Sequence, residues 1–408
     1  MMQLPALRSR NYRLFFAGQL FSLIGTWMQQ IAMIWLAYRL TGSPAMLGLV
    51  GFASQIPILL FSTVAGVWND RVDRRRLLLT TQVLSMVQAL ILFSLTAGDF
   101  VTPPLLVAMA FLLGCINAID LPARQAFVAQ LVTDKADLPS AIALNSFLMN
   151  ATRFIGPALA GLIVATWGEA ACFLINAFSY LTVLLALMSM RLTPRPKPPA
   201  QPALDALRAG LSYAFHHRDI RLALLMVGSF SFFVTPYAVL MPVFAGDFFQ
   251  GGADTYGFLI ASAGAGSLSA AMFLALRRSS YGPGLQLLVA RASVAAGIAL
   301  AAFALTTDIL LAHLVITLLG ACVIITVAGT NTVIQTAVDE AFRGRIMALF
   351  STAFLGIAPL GSLAVGASAD VIGVRLTLVA CGACAMVIGT VYLLQLNKTK
   401  SQPGGRLA

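Results

Sequence analysis

Two charged residues, Asp120 and Arg153, stand deep inside apolar stretches of the chain. An ionised side chain in such surroundings is costly to hold away from water, so its default reading is a functional one. Arg153 lies about thirteen residues into its stretch, close to the midplane of a helix rising 1.5 Å per residue. It either lines a cavity, as the partner of an anion or a gating charge, or forms a structural pair with an acid such as Asp120. Asp120 and Arg124 are four apart on one helix face and can pair with each other; proton carrying is the other reading of Asp120. Arg291 sits near one end of its stretch, where its stem can reach the membrane interface. The remaining polar groups are uncharged: Gln19, Gln29, Gln30, Gln55, Asn117, Asn145, Asn150, Asn331 and Gln335. Such amides either line a cavity or join neighbouring helices by hydrogen bonds.

Other chemistry finds little support. Cys381 and Cys384 read C-x-x-C inside an apolar helix with no His or acid beside them, which points to inert packing. His216 and His217 precede an apolar stretch and His313 stands near the end of one, so no metal-binding set is expected. The phosphate-binding pattern G-x-x-x-x-G-K-[ST] does not occur, which argues against direct ATP drive. A membrane-embedded enzyme would need clustered His, acid or Ser-Lys groups within the stretches, and none is supplied; neither enzyme chemistry nor a cofactor is expected.

The elements that must hold these residues follow from composition. Of 408 residues, 59% are hydrophobic and 10% charged, whereas soluble chains carry about 45–50% and about 25%. Soluble domains, a disulfide scaffold and long disorder are thereby excluded. A spanning helix needs about 20 mostly apolar residues. That ruler predicts twelve, near 13–37, 46–68, 77–97, 103–128, 140–165, 170–190, 221–245, 255–276, 285–305, 309–335, 346–368 and 374–396. The links between them are short, as in Thr41-Gly42-Ser43-Pro44 and Trp167-Gly168-Glu169, so successive spans are antiparallel. The first is too long for a signal-peptide core and is expected to stay attached. One longer polar stretch, opening with Pro194, Pro196, Pro198, Pro199 and Pro202, continues with Leu204, Leu207, Leu211 and Phe215 at helical intervals, which predicts a spacer and a surface helix. The division is a six-helix half over 1–190, a linker over 191–220, a second half over 221–396 and a tail over 397–408.

Basic residues sort by side. One side receives Arg8, Arg10, Arg13, the Arg71–Arg76 cluster, Arg124, the linker bases, Arg277, Arg278, Arg343, Arg345 and the C-terminal bases; the other holds Arg39 and Arg375. The positive-inside rule makes the first side cytoplasmic, with both termini there. The net charge of +11 is thus a topology signal, and no nucleic-acid partner is expected. Several marks recur at a near-constant offset of about half the chain: Arg13-Leu14 with Arg221-Leu222, Gly48 with Gly257, Gly114 with Gly320, Pro157 with Pro359, and Trp167-Gly168 with Ile372-Gly373. This predicts parallel repeats about an axis along the membrane normal.

The sharpest motif follows the second span, Gly66-Val67-Trp68-Asn69-Asp70-Arg71-Val72-Asp73-Arg74-Arg75-Arg76. Physically, a small residue permits close helix approach and arginines suit a helix C-terminus; a stop-transfer cluster is the plain alternative. With Asp70 at its distance from Gly66, the stretch resembles the loop G-x-x-x-D-R-x-G-R-R of the major facilitator superfamily, with Asp73 where the pattern has Gly. The resemblance covers the chain and implies the all-α fold of that family, twelve transmembrane helices in two pseudo-symmetric six-helix halves. It also implies a conformational latch of Gly66, Asp70, Arg71, Arg74 and Arg75, in which the Arg matching Arg74 pairs with an acid on the fourth helix, here Asp120. Asp339 to Met347 resembles the R-G-R loop before the eleventh helix. Ala123 to Phe127, with Asn145, Asn150, Arg153 and Gly156 to Gly161, resembles the branch that holds the enterobactin exporter and macrolide efflux proteins. Gly156, Pro157 and Gly161 resemble the antiporter motif G-P-x-x-G-G with one Gly replaced, and this segment is expected to bend while sealing one side of a cavity.

By resemblance, helices 1, 4, 7 and 10 line the cavity, which places Gln29, Gln30, Asn117 and Asn331 as substrate-binding candidates beside Arg153, a candidate by its depth in the fifth span, with Phe230, Phe232, Phe233 and Tyr237 as an aromatic wall. Amides and aromatics with few acids suit a bulky, partly apolar, neutral or anionic substrate. The expected function is export of an amphiphilic small molecule, a drug or siderophore-like metabolite, by alternating access and proton antiport, from a monomer in a bacterial inner membrane among its lipids. Helix 1 lacks the acids of some drug antiporters, and Ala110 stands where their fourth helix has Arg. Import, lysolipid flipping and a non-transporting sensor are the alternatives.

Overall fold

The computed structural model describes residues 5–132, 134–190, 211–277, 283–340 and 342–400, without the side chains of 62–71, 129, 135, 283 and 397–400. The prolines of the linker, Leu204, Leu207 and the end of the tail therefore lie outside the described residues, as do the side chains of Gly66, Asp70 and Arg71.

Among the described residues, eleven helical runs are long and apolar enough to cross a membrane. One of them, Leu138–Ser189, has 52 residues and breaks at Gly168, whose φ of 79° and ψ of 172° are not helical. Each piece approaches or exceeds the length of a span, so among the described residues the spanning helices number twelve, as the apolar pattern predicts. They are α1 Arg10–Thr41, α2 Pro44–Arg71, α3 Arg74–Ala97, α4 Pro103–Leu131, α5 138–167, α6 169–189, α7 Arg218–Phe248, α8 Ala253–Leu276, α9 Pro283–Leu305, α10 Ile309–Ala337, α11 Arg343–Ile372 and α12 Val374–Lys400.

The repeat read from the sequence reappears in the backbone. Gly373, the counterpart of Gly168, ends α11 at φ 86° and ψ 151°. A side chain is strongly disfavoured in that region, so the two turns demand Gly at equivalent places. The turn between α1 and α2 uses Gly42 at φ 60°, and the turn between α7 and α8 uses Gln250 at φ 52°.

The chain divides into two compact units, one of Met1–Ala200 with Pro242–Ala261 and one of Gln201–Met241 with Ser262–Ala408. The last turns of α7 and the first of α8 thus pack with α1 to α6. Within the first unit, α1 lies against both α5 and α6. A methyl on Gly25 would fall 2.5 Å from Asn176 Oδ1 and Ser179 Oγ, and one on Gly156 would fall 2.5 Å from Trp27 Cβ. Within the second unit, Gly297 of α9 and Gly382 of α12 pack backbone to backbone, and Gly266 and Gly320 do the same for α8 and α10. Small residues at these crossings supply the close packing that lipid-immersed helices rely on.

Asp73 shows what replaces the Gly of the family loop. It caps α3, its carboxylate accepting from the Arg76 N–H at 2.9 Å. Asp73→Ala is expected to cost about 1 kcal/mol, while Asp73→Gly, the family residue, costs only a few tenths because a glycine cap leaves the N–H hydrated. Thermal melts of the purified variants check this order.

Candidate functional site

Arg153 and the Gly-Pro segment share one stripe of α5. Pro157 follows Arg153 by four residues, about 6 Å along the helix. The guanidinium of the half-buried Arg153 lies 5.4 Å from the ring centroid of Trp27 on α1, within the range of a cation–π contact. One turn further on, α5 meets the start of α8. A methyl on Gly161 would lie 2.8 Å from the Ala253 carbonyl oxygen, and one on Gly257 would lie 2.5 Å from the Pro157 oxygen and 2.7 Å from Gly161 Cα. The two backbones touch, and the segment that resembles the antiporter motif is therefore a closed contact with α8, directly beyond Arg153.

More of the same end of the unit is tied together. The Tyr38 hydroxyl on α1 donates to Asp247 at the end of α7, and Gly246 leaves its ring room. Trp35 of α1 stacks on Tyr256 of α8 with centroids 6.0 Å apart. Arg39 forms a two-pronged pair with Glu169, 2.8 and 3.3 Å, which fixes the end of α1 to the start of α6. Sequence reading missed Tyr38, Asp247 and Tyr256. For Tyr256 alone there was a signal, its place beside Gly257 in the repeat, which matches Gly48.

Asp120 is a hub nearer the arginine-rich end. One carboxylate oxygen accepts from the Thr81 hydroxyl at 2.7 Å and from Gln82 Nε2 at 2.9 Å. The other meets Arg124 at 3.1 Å, and Arg124 also donates to Gln19 Oε1 at 3.1 Å. The expected partner on α3 was Arg74. Thr81 stands seven residues beyond it, about 10 Å deeper at the helical rise, and at that depth Asp120 meets Thr81, Gln82 and its own neighbour Arg124. Arg75 closes a helix end: its guanidinium donates to the Met188 carbonyl at 2.9 Å, and Arg10 donates to that of Ser189 at 3.3 Å. Both charges sit where α6 presents its negative pole.

The amide candidates separate. Gln29 is fully buried, donating to Gln88 Oε1 at 2.8 Å and accepting from Asn176 Nδ2 at 2.7 Å; it joins α1, α3 and α6 and lines no open space here. Its neighbour Gln30 and Asn117 of α4 are half-buried, with no hydrogen-bond partner among the described residues. Asn331 on α10 accepts from Gln335 at 2.5 Å. The structure thus brings Arg153 together with the Gly156–Gly161 segment, and Asp120 with Arg124, but Gln29 leaves the candidate site. Among the described residues no cluster of His, Cys or acids could hold a metal ion.

The R-G-R loop carries a contact that the sequence did not disclose. Tyr213, in the linker helix, stacks between His217 and Phe342 with centroids 3.8 and 4.3 Å away. Its hydroxyl donates to Asp339 Oδ2 at 2.8 Å and accepts from the Asp339 N–H at 3.2 Å. Burial pushes the Tyr213 phenol up, the Asp339 N–H opposes this, and the Asp339 carboxylate adds to it, so the hydroxyl stays a donor at neutral pH.

The family model described as "Transmembrane secretion effector" matches residues 2–403. The chain is 28% identical over 392 residues to the staphyloferrin A transporter of Staphylococcus aureus (strain NCTC 8325 / PS 47), covering 95% of this chain and 96% of that one. It is 24% identical over 375 residues to the multidrug efflux pump Tap of Mycolicibacterium fortuitum, 88% and 90% of the two chains. To macrolide efflux protein A of Streptococcus pyogenes it is 25% identical over 242 residues, 58% of each. Among solved structures, the nucleoside transporter NupG superposes with a TM-score of 0.70 at 11% identity, covering 95% of this chain and 99% of that one. The inward-facing, occupied structure of a bacterial homologue of the human lysosomal transporter Spinster gives 0.72 at 14% identity, covering 96% and 97%. Twelve helices in two pseudo-symmetric halves, Gly-only turns at equivalent places and a match along the whole chain converge: this is an integral membrane transporter of the major facilitator superfamily, a member of the family described as transmembrane secretion effectors.

Proposed function

We propose that the protein exports an amphiphilic small molecule, a drug or siderophore-like metabolite, across a bacterial inner membrane by alternating access, exchanging it for protons and needing no bound cofactor. Relatives named for a siderophore, for several drugs and for macrolides support this class. The observation that carries the reading is the placement of Arg153 on Trp27, one turn inside the contact of Pro157 and Gly161 with Gly257. A cation backed by an indole suits a substrate with an apolar body and an acceptor or negative group. Separation of α8 from α5 would open a route to that point from the arginine-poor side, the outer side by the positive-inside rule. The loop of Gly66, Asp70, Arg71, Arg74 and Arg75 and the loop of Arg343 to Met347 would hold the opposite, cytoplasmic side. The proton gradient supplies the energy, and the protein works as a monomer with its termini in the cytoplasm.

A charge-assisted hydrogen bond contributes about 1.5–3 kcal/mol. Arg153→Gln is therefore expected to lower transport of the anionic dye anilinonaphthalenesulfonate about tenfold or more in proteoliposomes, with little change in melting temperature, and Arg153→Lys to keep part of it. Wild-type rates in Arg153→Gln would contradict the assignment.

A further inference from the structure

Proton exchange needs a group that takes up and releases a proton near neutral pH. Among the described residues, three acids of the spans are already held by partners, and Asp254 lies at the very start of α8. Asp120 holds Thr81, Gln82 and Arg124, Glu169 holds Arg39, and Asp247 holds Tyr38. His313 is different. It is the fifth residue of α10, about 6 Å inside the arginine-poor end at the helical rise. It is half-buried, and imidazole is the side chain whose ordinary pKa lies near 6.5. Its Nδ1 lies 2.8 Å from the Ser262 hydroxyl on α8, while Nε2 has no partner among the described residues.

The choice of partner matters. A carboxylate would hold the proton on the ring and a cation would drive it off, whereas a hydroxyl serves both states. With neutral imidazole the Ser262 O–H donates to Nδ1; after protonation Nδ1–H donates to the Ser262 oxygen, and the hydroxyl only rotates. The contact survives a full cycle of uptake and release. Just beyond it, α8 and α10 close against each other where Gly266 meets Thr317 and Gly320 meets Ala263. A proton arriving from the arginine-poor side therefore stops at His313 until that seam shifts.

Few groups near it compete. On α8, Asp254 and Tyr256 lie in the first turn, more than a turn before Ser262. On α10, Asp308 is engaged in capping the Leu311 N–H at 2.8 Å, and Cys322 lies nine residues further along the helix. On α9, residues 292–305 carry no charge, Arg291 being nearer the other end. On α7, Tyr237 and Asp247 are the titratable residues of the last turns, Asp247 bound by Tyr38.

We propose that His313 is the proton-binding residue of this transporter, with Ser262 as the neutral partner that accommodates both of its protonation states. The inference rests on the antiport reading above. It is tested in acid-inside proteoliposomes with three labelled amphiphiles, anilinonaphthalenesulfonate, a macrolide and a catecholate siderophore, comparing gradient-driven accumulation with gradient-free counterflow. His313→Gln should lose accumulation about tenfold or more while counterflow stays within about twofold, and Ser262→Ala should shift the pH at which accumulation is half-maximal. Accumulation by His313→Gln equal to wild type overturns the proposal, as does equal loss of both activities, which marks a structural role. Failure of the wild type to accumulate any of the three beyond the level in protein-free vesicles, which a weakly basic macrolide reaches by pH trapping alone, overturns the antiport reading itself, and this proposal with it.

Discussion

Gly257→Val is expected to reduce transport at least tenfold while leaving the protein folded. Carbon–carbon contacts settle near 3.5–4.0 Å, and the first added carbon would stand 2.5 Å from the Pro157 oxygen and 2.7 Å from Gly161 Cα. Both obstacles are backbone, so no side chain can turn aside; the start of α8 must move away from α5 by about 1 Å or more. The rest of α8 packs in the second unit through Ala263 and Gly266, and those contacts are untouched. The closed state alone loses stability, and a transporter that cannot close one side cannot complete its cycle. Gly257→Ala should fall between valine and wild type. Transport by the valine variant at the wild-type rate would show that the α5–α8 contact has no part in the cycle.

Asp120→Ala should damage folding more than function. It leaves Arg124, whose side chain is 16% exposed, without its carboxylate, and it removes the acceptor of Thr81 and Gln82 at once. Removing one partner of a buried ion pair costs about 3–5 kcal/mol, comparable with the whole stability of many domains. The expected results are low yield and a melting temperature lower by many degrees. In Asp120→Ala with Arg124→Leu the unpaired charge is gone, and much of the loss should return. A single variant that melts like wild type would refute the hub, and no rescue in the double variant would place the cost elsewhere than in the stranded arginine.

What could be read before the structure divides along a physical line. Depth along a helix follows from counting residues at a fixed rise, so the spans and the turn at Gly168 with its counterpart Gly373 were legible. The direction a side chain takes around its helix depends on which neighbours pack there, and the apolar residues on every face of these helices conceal it. Gln29 and Gln30 are adjacent and chemically identical; one is spent on Gln88 and Asn176, and the other is half-open. For the same reason the sequence left Asp120 open between Arg74, which the resemblance implies, and Arg124, which the i, i+4 spacing offers and the structure pairs with it. The contacts of Tyr38 with Asp247 and of Tyr213 with Asp339 span long separations in the chain, 209 and 126 residues, and a single sequence carries no signal for them.

Export driven by exchange for protons, as proposed, leaves a thermodynamic mark that does not depend on how the protein is oriented in a vesicle. Protons leaving an acid lumen must bring substrate in. Proteoliposomes loaded at acid pH and diluted into alkaline buffer are therefore predicted to accumulate anilinonaphthalenesulfonate, a permanently charged anion that a pH gradient alone does not concentrate, above its external level, and to release it when a protonophore collapses the gradient. Accumulation only in alkaline-inside vesicles, or entry that stops at the external concentration under every gradient, would contradict the account.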